Sequence, residues 1–229
     1  MVTIEESIAA YNTLLDRLEE VEVQEGLLNL FERRDTIRVD GAELDRIEEQ
    51  LDRPLPPQYR SLFEHGVAEG DIYSPQDREF DFSYLEVLDP RSLPEMLEWW
   101  GVPEDEEDEF DDNPGWRLRF QQAKFGIPLW TTENTVVVDS RDGSVSFIWG
   151  EPELSVKLAD DLAEFLWHFT ACGCLNYGAA EGEHFLAYWE LISDKLPVDV
   201  APQDNLWLQF LDEAYSGDII ASWRANRSI

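Results

Sequence analysis

Apolar residues recur at helical spacing from the start of the chain, at Ile4, Ile8, Tyr11, Leu15 and Leu18, behind a Thr3 and Glu6 pair spaced as a capping box. This predicts an amphipathic helix over residues 4–20. A short apolar stretch over 27–31 predicts a second helix, ending near Arg33, Arg34 and Asp35. A new unit begins at Asp40, a cap for a helix with Glu43 at the matching position and Leu44, Ile47 and Leu51 on one face. Pro54, Pro56 and Pro57 stop that helix and start another, because proline disrupts a helix interior but suits its first turn. Tyr59, Leu62 and Phe63 give the new helix its apolar face, and Gly66 closes it.

The pattern then changes period. Residues 81–88 predict a strand and 93–100 a helix. Beyond them 127–130, 135–139 and 144–149 are rich in β-branched and aromatic residues, with Arg141, Asp142 and Gly143 as a turn. These predict a β-meander. A helix over 159–170 follows, with Leu162, Phe165, Leu166 and Phe169 inward, and helical spacing returns at Phe185, Trp189 and Ile192 and again at Leu206, Phe210 and Ala214. Helices, then consecutive strands, then helices predict an α+β fold: a mainly antiparallel twisted sheet flanked by helices. The expected organisation is a helical N-terminal extension over 1–39, a core domain over 40–174 and a helical C-terminal extension over 175–229 packed on the core.

Composition narrows the class. The chain has 229 residues, 43% of them hydrophobic, enough to bury a sizeable core. Residues 1–10 lack the basic start and apolar run of a secretory signal, no segment has the length of a membrane span, and Cys172 and Cys174 lie too close in sequence for an unstrained mutual disulfide. A cytoplasmic protein that does not enter membranes is expected. Charge changes the picture most: 50 acids against 17 Lys and Arg give a net charge of −33. That field repels nucleic acid, and no basic stripe longer than Arg33 and Arg34 opposes it, so the expected partner is a protein with a basic surface. Adaptation to high salt or a need for solubility accounts for the same charge.

Residues 42–66, with Leu44, Ile47 and Leu51, then Leu55, Pro56, Pro57 and Tyr59, then Leu62, Phe63 and Gly66, resemble the opening signature of the SUKH superfamily: an acidic helix, a Leu-Pro break, a Tyr and a Gly-terminated helix. Phe125, Gly126, Ile127, Pro128, Leu129 and Trp130, with 135–139, resemble its middle strands, and 159–169 its closing helix. The similarity spans roughly residues 40–172. It implies helices around a twisted antiparallel sheet, frequent use as bacterial immunity proteins against polymorphic toxins, and no catalytic constellation; other members are cytosolic adaptors or regulators. The chain departs from the family at Glu133 and Asn134, where a Gly-containing turn is usual, and at both extensions.

Motifs for catalysis are absent: there is no G-x-S-x-G, H-E-x-x-H, phosphate-cradling G-x-x-x-x-G-K or G-x-G-x-x-G. No enzyme activity and no cofactor are expected. His168, Cys172 and Cys174, with His184 further on, are zinc-type ligands, but their spacing fits no zinc motif, and two buried thiols beside a helix-edge histidine are the expected reading. The acids around Asp111, Asp112, Asn113 and Gly115 fail the calcium-loop pattern. The candidate site is a partner-binding surface of Glu98, Trp99 and Trp100 running into Glu104, Asp105, Glu106, Glu107 and Asp108 and on to Trp116. Aromatic anchors among carboxylates suit the capture of a basic surface, the rings supplying burial and the charges steering encounter. A toxin acting on nucleic acid would present such a surface.

Overall fold

The computed structural model describes residues 2–25, 31–73, 81–85, 87–100, 125–129, 135–148, 155–174 and 182–214. The chain divides into two units, residues 1–36, 68–86 and 163–229 in one and residues 37–67 and 87–162 in the other. The fold is mixed α+β with antiparallel strand pairing, as the sequence predicts.

The first unit opens with α1 (Ile4–Glu25). Its capping box forms: the Thr3 amide donates to Glu6 Oε2 at 2.8 Å and the Glu6 amide to Thr3 Oγ1 at 3.2 Å. The stripe of Ile4, Ile8, Tyr11, Leu14, Leu15, Leu18 and Val21 is buried. Polar tips on that face find acceptors, Ser7 Oγ donating to the Ala163 carbonyl at 2.8 Å and the Tyr11 hydroxyl to that of Ala68 at 2.7 Å. Strands β1 (Phe31–Ile37), β2 (Val67–Tyr73) and β3 (Asp81–Leu85) make a three-stranded sheet in that order, with β2 and β3 antiparallel and Gly70 opposite Leu85. Phe31 thus belongs to a strand, where the sequence predicts a helix over 27–31; residues 26–30 lie outside the described residues. Strand pairing overrides the local apolar run here: Phe31 is buried, and its ring lies where a Cβ on Gly70 would stand, 2.4 Å away. Arg34 reaches Asp71 on β2 at 2.7 Å.

Three helices complete this unit, α5 (Leu162–Ala171), α6 (Gly182–Ile192) and α7 (Leu206–Ala214). Trp207 of α7 is fully buried, edge-on to Phe165 and Phe169 at 5.9 and 5.8 Å between ring centroids. Asn205 caps α7, its Oδ1 accepting from the Leu208 amide at 3.1 Å while its Nδ2 donates to the His168 carbonyl at 2.9 Å.

The second unit carries α2 (Gly41–Leu51), α3 (Pro57–His65) and α4 (Leu93–Trp100) with a four-stranded meander of β4 (Gly126–Pro128), β5 (Thr135–Asp139), β6 (Val145–Ile148) and β7 (Ser155–Ala159) in sequential order. Asp40 accepts from the Glu43 amide at 2.9 Å, as its place in the sequence predicts, and Pro57 and Gly66 open and close α3. Arg60 of α3 clamps α2 through Asp45 at 2.8 Å and Glu48 at 2.7 Å, while Glu48 also accepts the Leu55 amide at 2.7 Å. Thr135, Val136, Val137 and Val138 are all buried, so both faces of β5 are covered. The predicted helix over 159–170 starts only at Leu162, because residues 155–159 pair with β6 and Asp160 and Asp161 make the break. No helix among the described residues is long and apolar enough to cross a membrane.

Candidate functional site

The sequence places its candidate surface on a short helix and the acidic run after it. The structure puts Glu98 on the exposed side of α4, ahead of Trp99 and Trp100 at the end of that helix. The side chains of Trp99 and Trp100, and all of Glu104, Asp105, Glu106, Glu107, Asp108 and Trp116, lie outside the described residues. Of the predicted set, Glu98 is the side chain whose surroundings can be described.

Those surroundings form a groove of about 740 Å³. Its walls come from the end of α2 and the break after it (Leu51, Asp52, Arg53 and Pro54), from Pro94, Leu97 and Glu98 of α4, from Phe125 ahead of β4, and from Ser140 and Arg141 between β5 and β6. A smaller cavity of about 520 Å³ lies along Ser92, Glu95, Met96 and Glu98, so Glu98 borders both. Helix α4 is fixed at its start by Arg91, which bonds Asp89 at 3.0 Å, Glu43 at 3.0 Å and the Arg38 carbonyl at 3.1 Å. These bonds anchor the chain entering α4 to the start of α2.

The β5–β6 turn contributes Ser140 and Arg141 to the lining. The Ser140 amide donates to the Phe125 carbonyl at 2.7 Å, tying the turn to the residue before β4. Phe125 is 39% exposed, the one exposed large hydrophobic among the described residues. The guanidinium of Arg141 stacks on its ring at 4.0 Å and is gripped by Asp139, with Nε on Oδ1 at 3.0 Å and Nη2 on Oδ2 at 2.6 Å. That two-pronged bond to Arg141, first among its causes, holds the Asp139 carboxyl below the usual carboxylate range. Arg53 donates to the Gly126 carbonyl at 3.3 Å, and burial lowers its pKa while Asp139 raises it. Both arginines are thus engaged by the chain itself.

Two carboxylates of the groove differ from these. Neither Asp52 nor Glu98 makes a side-chain hydrogen bond or ion pair among the described residues. Asp52 also sits in the left-handed region, at φ 50°, as the residue that ends α2. The residues that the sequence misses here, Asp52, Arg53, Phe125 and Arg141, appear there as a helix stop, a strand start and a turn. Nothing in one dimension brings four such pieces together.

The second cluster considered from sequence is built differently. The Cys172 thiol donates to the His168 carbonyl at 3.1 Å, and burial pushes the Cys172 and Cys174 thiols up, away from the thiolate that a metal needs. His168 Nδ1 accepts the Leu206 amide at 3.1 Å at the start of α7. Among the described residues no group of three His, Cys, Asp or Glu side chains could hold a metal ion.

Compared with known proteins, residues 38–167 match the SMI1 / KNR4 family (SUKH-1). No curated protein and no solved structure matches the chain. The matched stretch contains every residue of the groove.

Proposed function

Because the chain belongs to the SMI1 / KNR4 (SUKH-1) family, whose members are generally non-catalytic and often immunity proteins, we propose that it is a binding module that neutralises a basic toxin by occluding it. The observation that carries this reading is the exposed Glu95 and Glu98 face of α4 beside the Phe125 groove, in a chain of net charge −33. Long-range charge draws a basic surface in, and the apolar walls hold it once water is displaced. The site takes up no proton and transfers no group, so inhibition follows from coverage alone.

The test is co-expression with each toxin domain encoded beside this chain, followed by purification of the pair. The expected result is restored growth and a one-to-one complex. Its association slows as salt rises, because the screening length contracts from about 10 Å at 0.1 M to about 3 Å at 1 M. If no neighbouring toxin is neutralised or bound, the proposal fails.

A cytosolic regulatory adaptor is the second reading, favoured by α1, α6 and α7, which lie outside the family match. Deleting α1 would strip a buried face from its own unit, so the sharper probe reverses charge at the exposed Glu5 and Glu20. An adaptor loses its partner through these changes. An immunity protein that binds through the groove keeps its protection.

A further inference from the structure

The groove contains cations and anions in different states, and that difference identifies what it accepts. Arg141 is held by Asp139 and stacked on Phe125, and Arg53 is turned to the Gly126 carbonyl. The ion pair with Asp139 offsets Arg141, so the remaining charges of the lining are Arg53 against Asp52 and Glu98, and among the described residues these two carboxylates have no side-chain partner. The same lining includes the apolar Leu51, Pro54, Pro94, Leu97 and Phe125.

Asp52 also stands at an unusual backbone position, φ 50° at the end of α2. A residue in the left-handed conformation at a helix end is ordinarily glycine or asparagine, and a carboxylate there opposes the negative end of the helix dipole. The α2 terminus therefore carries a residue unfavourable for its own stability on two counts. The same residue lines the groove. Strain of this kind concentrates where a site needs a particular side chain.

We propose that the groove is the receptacle for one long cationic side chain, an arginine or lysine projecting from a basic protein partner, with its stem on Leu97, Pro54 and Phe125 and its head between Asp52 and Glu98. This deepens the immunity reading and rests on it for the identity of the partner. It follows how long basic side chains are buried, apolar stem covered and charged head kept among polar groups. Arginine suits the site best, because its planar fork can serve two carboxylates at once.

The experiment uses the full chain and a small probe, N-acetyl-arginine methylamide, with N-acetyl-norleucine methylamide as the uncharged comparison, followed by amide chemical shifts at 0.15 M salt. The expected result is shifts centred on Leu51, Leu97, Phe125 and Ser140, with arginine at least tenfold tighter than norleucine. The double variant Asp52→Asn with Glu98→Gln weakens arginine tenfold or more. Glu190→Gln, which removes an exposed charge of α6 that does not line the groove, changes it less than twofold. Equal binding of the two probes, or a double variant that binds like the parent, overturns the proposal. A chain that protects against its toxin yet ignores the arginine probe overturns the receptacle and leaves the immunity reading standing. Arginine seated in the groove of a chain that protects against nothing supports the receptacle and removes the immunity reading.

Discussion

Replacing Asp52 by glycine is expected to make the protein more stable. The residue ends α2 at φ 50° and ψ 33°, and its backbone amide donates to the Glu48 carbonyl, so the left-handed turn is part of the helix end. Holding an L-residue there costs roughly 1 kcal/mol relative to glycine, somewhat less for Asp than for most side chains. A carboxylate at a helix C-terminus adds about 0.3–1 kcal/mol of unfavourable dipole interaction. Asp52→Gly removes both terms and gains about 1–2 kcal/mol; Asp52→Asn removes the charge and gains about 0.3–1 kcal/mol. Asp52→Ala loses the charge but meets the full left-handed penalty, and ends about level with the parent or below it. Thermal melts followed by circular dichroism rank the four chains, with a Tm rise of about 2–4 °C per kcal/mol for a chain of this size. If glycine gives no gain, or alanine gains as much as glycine, the strain assigned to this position does not exist. The gain in stability should coincide with loss of cationic-probe binding.

Protonation of His168 should loosen the start of α7, because Nδ1 accepts the Leu206 amide only when the imidazole is neutral. Burial, the largest cause, lowers the His168 pKa below 6.5, against smaller raising effects from Glu164 and Asp204. The unfolded chain therefore takes up the proton first, so the stability contribution is complete above about pH 6.5 and is lost as pH falls toward the folded-state value. Urea unfolding from pH 7.5 to 5 should show this slope in the parent and a flatter one in His168→Gln. Asn205→Ala should cost about 2–4 kcal/mol in the same assay, since it removes a helix cap and strands the buried Leu208 amide. Gly70→Ala should cost about 1–3 kcal/mol, because the new Cβ meets the Phe31 ring at 2.4 Å; adding Phe31→Leu should recover part of the loss, and no recovery would show that the ring is not what it strikes.

Where a signal was local, the sequence carried it. The Thr3 and Glu6 box, the Asp40 cap, the proline break at 54–57 and the meander strands needed only neighbours within a few residues. Strand β2 was invisible because Val67–Tyr73 alternates poorly and contains Gly70, whose value appears only against Phe31. Strand β7 merged in the sequence with the helix behind it, since Leu158 and Ala159 continue the apolar pattern of α5. For the site, Glu98 was legible from its place before two tryptophans. Its neighbours in the groove were not, because 50–54, 94–98, 125 and 140–141 meet only after α2, α4 and the meander have formed.

Helix α1 leaves the ribosome well before the segments it is bonded to. Ser7 waits for Ala163 and Arg17 for Lys195, a separation of 178 residues in the second case. At a synthesis rate of about 5–20 residues per second that is roughly 10–35 seconds during which Ile8, Leu14, Leu15 and Leu18 have no completed partner surface. The second unit, by contrast, draws on residues 37–67 and 87–162 and has its whole chain available earlier. In the living cell, the demand for chaperone protection should therefore fall on the first helix, and ribosome-stalled chains ending near residue 170 should bind holdases through it.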